Sequence, residues 1–179
     1  MKKFFKVFSV ILALFIVFIA YQIIDYKIQE QKKINKVYEH PEDKYLAKKV
    51  EKSLINAIKK VDSDNNKEVN IELSDLVYPY NPDKICAVGS YARKETLNSI
   101  KKEMGVDWKY FDYWFNDIVD INYDNSILII QGEDVIPVKI TGYYASSYTF
   151  SCYRLSKEKA IVKIYYDKRI GAVIKLSEI

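Results

Sequence analysis

The first 24 residues constrain this chain most, because they include an apolar stretch long enough to cross a bilayer. Within residues 7–24 only Ser9 and Gln22 are polar, and no side chain is charged. A helix of this length extends for about 27 Å, close to the hydrocarbon thickness of a membrane. Its internal hydrogen bonds would satisfy the backbone in lipid. We therefore predict one transmembrane helix over residues 7–24.

The residues around this stretch distinguish an uncleaved anchor from a signal peptide. Three lysines among residues 1–6 give the positive start that both kinds of segment share. The best candidate for a cleavage site, residues 18–20, begins with the bulky Phe18, where such a site has a small residue. No cysteine lies near the end of the stretch, so a lipid-modified cysteine is not expected. We predict an uncleaved signal-anchor; the alternatives are a cleaved signal peptide and a buried helix of a soluble protein.

The chain divides at this anchor. Lysines flank the span on both sides, but a short tail before it and a long domain after it favour a cytoplasmic N-terminus and an extracytoplasmic C-terminal domain. The predicted parts are a tail (1–6), the span (7–24), a stalk (25–41) and a folded domain (42–179).

The net charge of +4 belongs mainly to the anchor. Residues 1–27 hold four lysines and one aspartate, which leaves 24 basic and 23 acidic residues in the rest of the chain. Binding to nucleic acid requires a clustered basic face, and none is evident from this balance. The expected partners are the lipid bilayer, through residues 7–24, and a protein or a glycan in the cell envelope.

Apolar spacing predicts the elements of the domain. Positions three and four apart predict an amphipathic helix over residues 42–61, a second helix over 93–104 and a third over 108–119. Strands are predicted at residues 69–73, 84–88, 126–130, 135–140, 148–155, 160–166 and 172–176. Helices grouped before most strands indicate an α+β fold, with an antiparallel β-sheet and two or three helices packed on one face.

The densest aromatic cluster lies between Trp108 and Phe115. If it is helical, one face is buried in the core; that face would hold Trp108, Phe111, Phe115 and Ile118. Tyr110 and Tyr113 would then point outward and flank Asp117. Paired rings beside a carboxylate suit a glycan or a protein partner. Alternatively, the two tyrosines cover the edge of the core and leave their hydroxyl groups in water.

Two cysteines, Cys86 and Cys152, each fall in a predicted strand. In an oxidising compartment they could form a disulfide, which would close a loop worth about 4 kcal/mol in the chain-entropy model. Alternatively, they are two small buried hydrophobic residues, which is how free cysteine usually behaves. Separation along the sequence does not decide between these alternatives.

The sequence offers little support for a metal site or for catalysis by a histidine. Asp62, Asp64 and Asn66 resemble the start of a calcium loop, but Lys67 replaces its glycine and Leu73 its bidentate glutamate, so we predict no calcium binding. The single histidine, His40, lies in the stalk, so the domain has no nucleophile–histidine pair and no zinc ligand set. We predict no cofactor.

Carboxylates are the remaining catalytic candidates. Five aspartates could supply the pair that a glycosidase needs, although a solvated acidic face would have the same pattern. They are Asp107, Asp112, Asp117, Asp120 and Asp124.

The run Asp-Lys-Ile-Cys-Ala-Val-Gly-Ser-Tyr over residues 83–91 is followed by a helix that opens with Arg-Lys-Glu-Thr-Leu over 93–97. This resembles a family of small bacterial envelope proteins, many of them predicted lipoproteins, in which Trp-Asp-Lys leads through an apolar strand to a Pro-Tyr pair and a helix. Here Pro82 occupies the Trp position and Ser90 that of the Pro.

Residues 127–140 and 148–154 are similar to a later hairpin and a closing strand of that family, so the resemblance covers about residues 70–176. It implies an envelope location and a fold, and it transfers no catalytic residue. At the strand-to-helix turn, Tyr91 is expected to pack over the sheet.

Together these observations predict a membrane-anchored, extracytoplasmic binding or interaction module without catalysis. One alternative is an immunity-type protein that captures a toxin at the membrane. Another is an enzyme that acts on cell-wall glycans through aspartate pairs, with Tyr110 and Tyr113 as a platform for the sugar.

Overall fold

The computed structural model describes residues 2–63, 68–89, 92, 94–120, 123–141, 145–146, 150–155, 160–169 and 171–178. The chain forms two compact units, Met1–Lys36 and Val37–Ile179.

The first unit is a single helix, α1, over Lys2–Asn35. Within it, Ile11–Asn35 is long enough and apolar enough to cross a membrane. Its large apolar side chains, such as Leu14 and Val17, are exposed. The helix predicted over residues 7–24 is therefore present, and it continues into the predicted stalk.

The second unit begins with the amphipathic helix α2, Pro41–Ser63. Pro41 starts the helix, where its missing N–H costs nothing. The backbone N–H of His40 donates a hydrogen bond of 3.1 Å to Asp43 Oδ2, which helps to fix the first turn. Helical spacing predicts every residue of the buried stripe except Ala47: Leu46, Ala47, Val50, Leu54, Ala57, Ile58 and Val61.

Three shorter helical segments follow: α3 (Leu73–Val77), α4 (Lys94–Met104) and α5 (Phe111–Tyr113), which leads directly into a π-helical turn, Trp114–Ile118. The C-terminus of α4 is closed by a neighbouring strand, because Lys84 Nζ donates to the carbonyl oxygens of Glu103 (2.6 Å) and Met104 (3.1 Å). A cation at this end also suits the helix dipole. The chain leaves α4 through Gly105, whose φ of 74° favours glycine.

The described strands form two four-stranded sheets, and the predicted α+β class is confirmed. The strands are β1 (Glu68–Glu72), β2 (Lys84–Val88), β3 (Asn125–Gln131), β4 (Asp134–Ile140), β5 (Ala145–Ser146), β6 (Phe150–Arg154), β7 (Ala160–Asp167) and β8 (Gly171–Glu178). Their orders are β1-β7-β8-β5 and β4-β3-β2-β6, and all neighbours are antiparallel except β5 and β8. The sequence predicted a single sheet, because local periodicity identifies strands but not their partners.

The sheet β4-β3-β2-β6 is covered on both faces. Ile85, Ile127 and Ile129 belong to one core cluster with the stripe of α2 and with residues of the other sheet. The alternate residues, including Ser126 and Leu128, face α4 and the aromatic residues that follow it. Six consecutive residues of β3 are therefore buried, which is typical of a strand without a solvated face. Helices thus flank this sheet on two sides rather than on the one predicted.

Two hydrogen bonds stabilise one hairpin turn and one edge of this sheet. The β3–β4 hairpin turns at Gly132, whose N–H donates to Asp83 Oδ2 at 2.7 Å. Strand β4 forms one edge, and there the carbonyl oxygen of Pro137 accepts a hydrogen bond of 2.9 Å from the Tyr38 hydroxyl. Proline is tolerated at such an edge because it has no N–H to pair.

Candidate interaction surface

Residues 108–118, called the aromatic segment below, have one buried face. The four residues predicted to be buried, Trp108, Phe111, Phe115 and Ile118, are all buried. The prediction missed Trp114, which is fully buried. It lies three residues after Phe111 and four before Ile118, so helical spacing alone could have identified it.

Ring packing and one hydrogen bond fix this face. The rings of Phe111 and Phe115 lie 4.9 Å apart between centroids, and those of Trp108 and Trp114 lie 6.2 Å apart. The indole N–H of Trp114 donates to Ser126 Oγ at 2.8 Å. The segment is thereby fixed to strand β3, on the side of the sheet opposite α2.

A widened turn ends the segment. The Trp114 N–H donates to the Tyr110 carbonyl oxygen (2.8 Å), as in an α-helix, whereas the Val119 N–H donates five residues back, to the Trp114 carbonyl oxygen (2.9 Å). Single π turns of this kind are frequent at functional sites. Here the turn includes Asp117, one of the predicted surface residues.

The outward side carries the predicted residues Tyr110, Tyr113 and Asp117, which we call the tyrosine–aspartate surface. Both tyrosines are half-buried, and Asp117 is exposed. Spacings of three and four residues place them along one side of the segment. Asp112 is also exposed, but it is not spaced three or four residues from any of these three.

Tyr110 is held by its neighbours. Its ring meets Trp108 edge-on at 6.5 Å, and the Lys109 ammonium lies 5.0 Å from its centroid. Lys109 Nζ is also 2.7 Å from Glu39 Oε1. This hydrogen bond lowers the pKa of the Glu39 carboxyl and raises the pKa of the Lys109 amine. The tyrosine–aspartate surface is therefore partly preorganised.

Two of the other candidate aspartates, Asp124 and Asp107, lie beside lysines. Asp124 is buried, lies 3.4 Å from Lys139 Nζ and accepts a hydrogen bond of 3.0 Å from the Asp120 N–H. It therefore stabilises the start of β3. Asp107 is exposed and lies 3.8 Å from Lys101 Nζ.

The two cysteines face each other on neighbouring strands. Cys86 of β2 and Cys152 of β6 are paired in register, and their sulfur atoms are joined at 2.02 Å. Cys86 is fully buried. The structure thus contains the disulfide that the sequence left open, and its formation in the cell stays a prediction.

Some predicted residues fall outside the described part of the chain. Asp64 and Asn66 of the calcium-like loop and Tyr91 of the strand-to-helix turn belong to this group, whereas Asp62 is exposed at the end of α2. Within the part of the chain that the structure describes, no group of three or more His, Cys, Asp or Glu side chains could hold a metal ion.

A second surface was not predicted from the near-neutral charge of the domain. The outward side of α2 carries four exposed lysines, which we call the lysine face: Lys48, Lys52, Lys59 and Lys60. Tyr45 lies on the same side and is 72% exposed. Domain-wide charge averages conceal such a face, but helical spacing from residue 45 onward could have identified it.

Comparison of the chain with protein-family models, with curated proteins and with solved structures finds no match. The resemblance of residues 83–91 to the envelope family therefore remains a prediction. In the fold, the described residues of that motif have structural contacts: Asp83 holds the hairpin turn, Lys84 caps α4 and Cys86 forms the disulfide.

Proposed function

We propose that this chain is a single-pass, membrane-anchored binding module, with its domain outside the cytoplasm, that captures a protein partner without catalysis. The observation that carries this proposal is the tyrosine–aspartate surface, Tyr110, Tyr113 and Asp117, on a segment whose opposite face is fixed in the core. The Asp117 carboxylate suits a partner that offers a basic group.

The chemistry of this surface favours recognition. Tyrosine gives a large, rigid contact area at a low cost in conformational entropy, and it is frequent among the residues that dominate binding energy. The buried Trp114 and Phe115 anchor the same segment, so little ordering is needed when a partner binds.

The anchor supports the location of the module. Helix α1 contains a stretch, Ile11–Asn35, that is long and apolar enough to span a bilayer. The short, lysine-containing tail before it favours a cytoplasmic N-terminus. A toxin-capturing immunity protein would be one form of this function.

A comparison of two matched variants tests the binding surface. Full-length chain would be cross-linked in native membranes and purified as the wild type, as Tyr113→Ala/Asp117→Ala and as the control Tyr78→Ala/Asp75→Ala. The control residues are exposed elsewhere, on α3 and the loop after it. We expect one specific protein to be lost with the first variant and retained with the control.

Equal recovery of every cross-linked protein in both variants would argue against this surface. Loss of binding to purified wall fragments, instead of to a protein, would make a glycan the ligand.

The anchor has its own test. Full-length chain should stay in membranes after an alkaline carbonate wash, and protease added to intact spheroplasts should degrade the domain. Release by carbonate, or a mature N-terminus near Tyr21, would contradict the anchor. A domain protected from protease would contradict the topology.

A further inference from the structure

Helix α2 presents a one-sided cationic surface. Between Lys44 and Lys60 it contains six lysines and a single acidic residue, Glu51, which is half-buried. The lysine face, Lys48, Lys52, Lys59 and Lys60, is exposed throughout. Acidic side chains adjoin it at the two ends of the helix, at Glu42, Asp43 and Asp62, and Glu51 lies close enough to Lys48 to interact with it.

The orientation of this face is fixed by packing. The opposite side of α2 is the buried stripe that contributes Leu46, Leu54 and Ile58 to the core. The helix cannot rotate its lysines inward without exposing that stripe. Among the described residues, no salt bridge occupies Lys52 or Lys59.

The position of α2 in the chain suggests what could cover the face. Sixteen residues separate Ile24, the end of the predicted span, from Pro41, where α2 starts. Eleven of these residues continue helix α1 to Asn35 and five link it to α2, so the chain keeps the start of α2 within about 35 Å of the bilayer surface. Tyr45, exposed near the tethered end of α2, is of the type that settles at membrane–water interfaces.

We propose that the lysine face of α2 docks on anionic phospholipid headgroups of the bilayer that α1 crosses. This inference rests on the membrane anchor of the proposed function. Clustered lysines bind anionic headgroups electrostatically. Because the aromatic segment packs on the other side of the sheet β4-β3-β2-β6, docking by α2 turns the tyrosine–aspartate surface away from the lipid and toward a partner.

Nucleic acid is the other polyanion that a lysine face could bind. The proposed anchor favours lipid because it keeps α2 near a bilayer, and the exposed Tyr45 is of a type enriched at membrane–water interfaces.

Amine labelling of the full-length chain tests the proposal. The chain would be reconstituted into vesicles of phosphatidylcholine, with or without phosphatidylglycerol, and treated with a membrane-impermeant acylating reagent. With anionic lipid at low salt, Lys48, Lys52 and Lys59 should react about fivefold more slowly. At 1 M salt, where the screening length is about 3 Å, the difference should disappear. Lys102 and Lys168, exposed elsewhere, provide internal controls.

Charge reversal gives a second, matched comparison. In Lys52→Glu/Lys59→Glu, Lys48 should lose its protection on anionic vesicles, whereas in Lys102→Glu/Lys168→Glu it should keep it. Both variants change the net charge equally and at exposed positions.

Three results would overturn the proposal: equal labelling rates in both lipids, protection that rises with protein density in both lipids, or protection only when duplex DNA is added. The second would indicate that another copy of the chain covers the lysine face, and the third that a nucleic acid does.

A carbonate wash of the same vesicles distinguishes failure of lipid docking from failure of the membrane anchor. A chain that resists the wash but shows no protection refutes only lipid docking, whereas a chain released by the wash refutes the anchor itself.

Discussion

Trp114 and Ser126 are joined across the interface between the aromatic segment and strand β3. The indole N–H donates to Ser126 Oγ at 2.8 Å, and that hydroxyl lies 3.4 Å from the Val138 carbonyl oxygen of the next strand. Both side chains are buried. One polar contact therefore connects the candidate binding segment to two strands of the sheet.

Ser126→Ala should destabilise the domain by about 1–3 kcal/mol, because it leaves a buried indole N–H without its acceptor. Urea unfolding of residues 28–179 would measure this, with Ser99→Ala on the exposed side of α4 as the matched control. A loss below about 0.5 kcal/mol, the range of ordinary surface changes, would mean that the contact contributes little.

The two faces of the aromatic segment should differ sharply in sensitivity. Phe111→Ala should cost about 3–5 kcal/mol, from lost burial and the cavity left beside Phe115. Tyr113→Ala should cost about 1 kcal/mol, since its ring is only half-buried. Urea melts of both variants would compare them. Similar large losses would show that Tyr113 is a core residue and unsuited to binding.

The Cys86–Cys152 disulfide closes a loop with a sequence separation of 66, for which chain entropy predicts a stabilisation of about 4 kcal/mol. Cys86→Ala/Cys152→Ala should therefore unfold at a lower urea concentration than the oxidised wild type. Adding a reductant should lower the midpoint of the wild type and leave that of the variant unchanged. Two titratable thiols in protein purified directly from cells without reductant would show that the bond does not form there.

From the surroundings of the Tyr38 phenol we predict that the folded domain loses stability at alkaline pH. Burial, followed by the nearby Glu51 and Asp43 carboxylates, raises the pKa of its phenol well above the ordinary value. A group whose folded pKa is raised stabilises the fold fully below its unfolded pKa of about 10, and this contribution is lost as the pH rises through the folded value.

Above about pH 10, the free energy of unfolding of the wild type should therefore fall more steeply with pH than that of Tyr38→Phe, which has no hydroxyl to ionise at this position. At pH 8 the variant should be the less stable of the two, because it lacks the hydrogen bond to the Pro137 carbonyl oxygen. Urea midpoints measured across this range would test both statements. Parallel curves would exclude Tyr38 as the source of the alkaline effect.

Local patterns predicted the elements of this fold well. The stripe of α2, the strand Lys84–Val88 and the β3–β4 hairpin follow from helical spacing, alternation and the turn at Gly132. These signals are local, so the sequence alone carries them.

Pairing between distant strands is not local, and there the predictions were incomplete. Nothing in the run from Lys84 to Val88 shows that it lies between β3 and β6, or that two sheets form instead of one. The buried state of Trp114 and the exposed lysines of α2 were detectable from spacing. The ion pair between Asp124 and Lys139, in contrast, depends on a tertiary contact between residues that are 15 positions apart.

If the chain is anchored in a membrane as proposed, the edge of strand β4 has a further consequence. Anchored copies would diffuse in the plane of the membrane and meet often. An open strand edge on one copy would then pair with a neighbouring copy and start polymerisation. At the middle of this edge Pro137 has no N–H to offer, and its carbonyl oxygen already accepts the hydroxyl of Tyr38. This edge therefore resists forming an intermolecular sheet with a second copy, even when copies are concentrated at a surface.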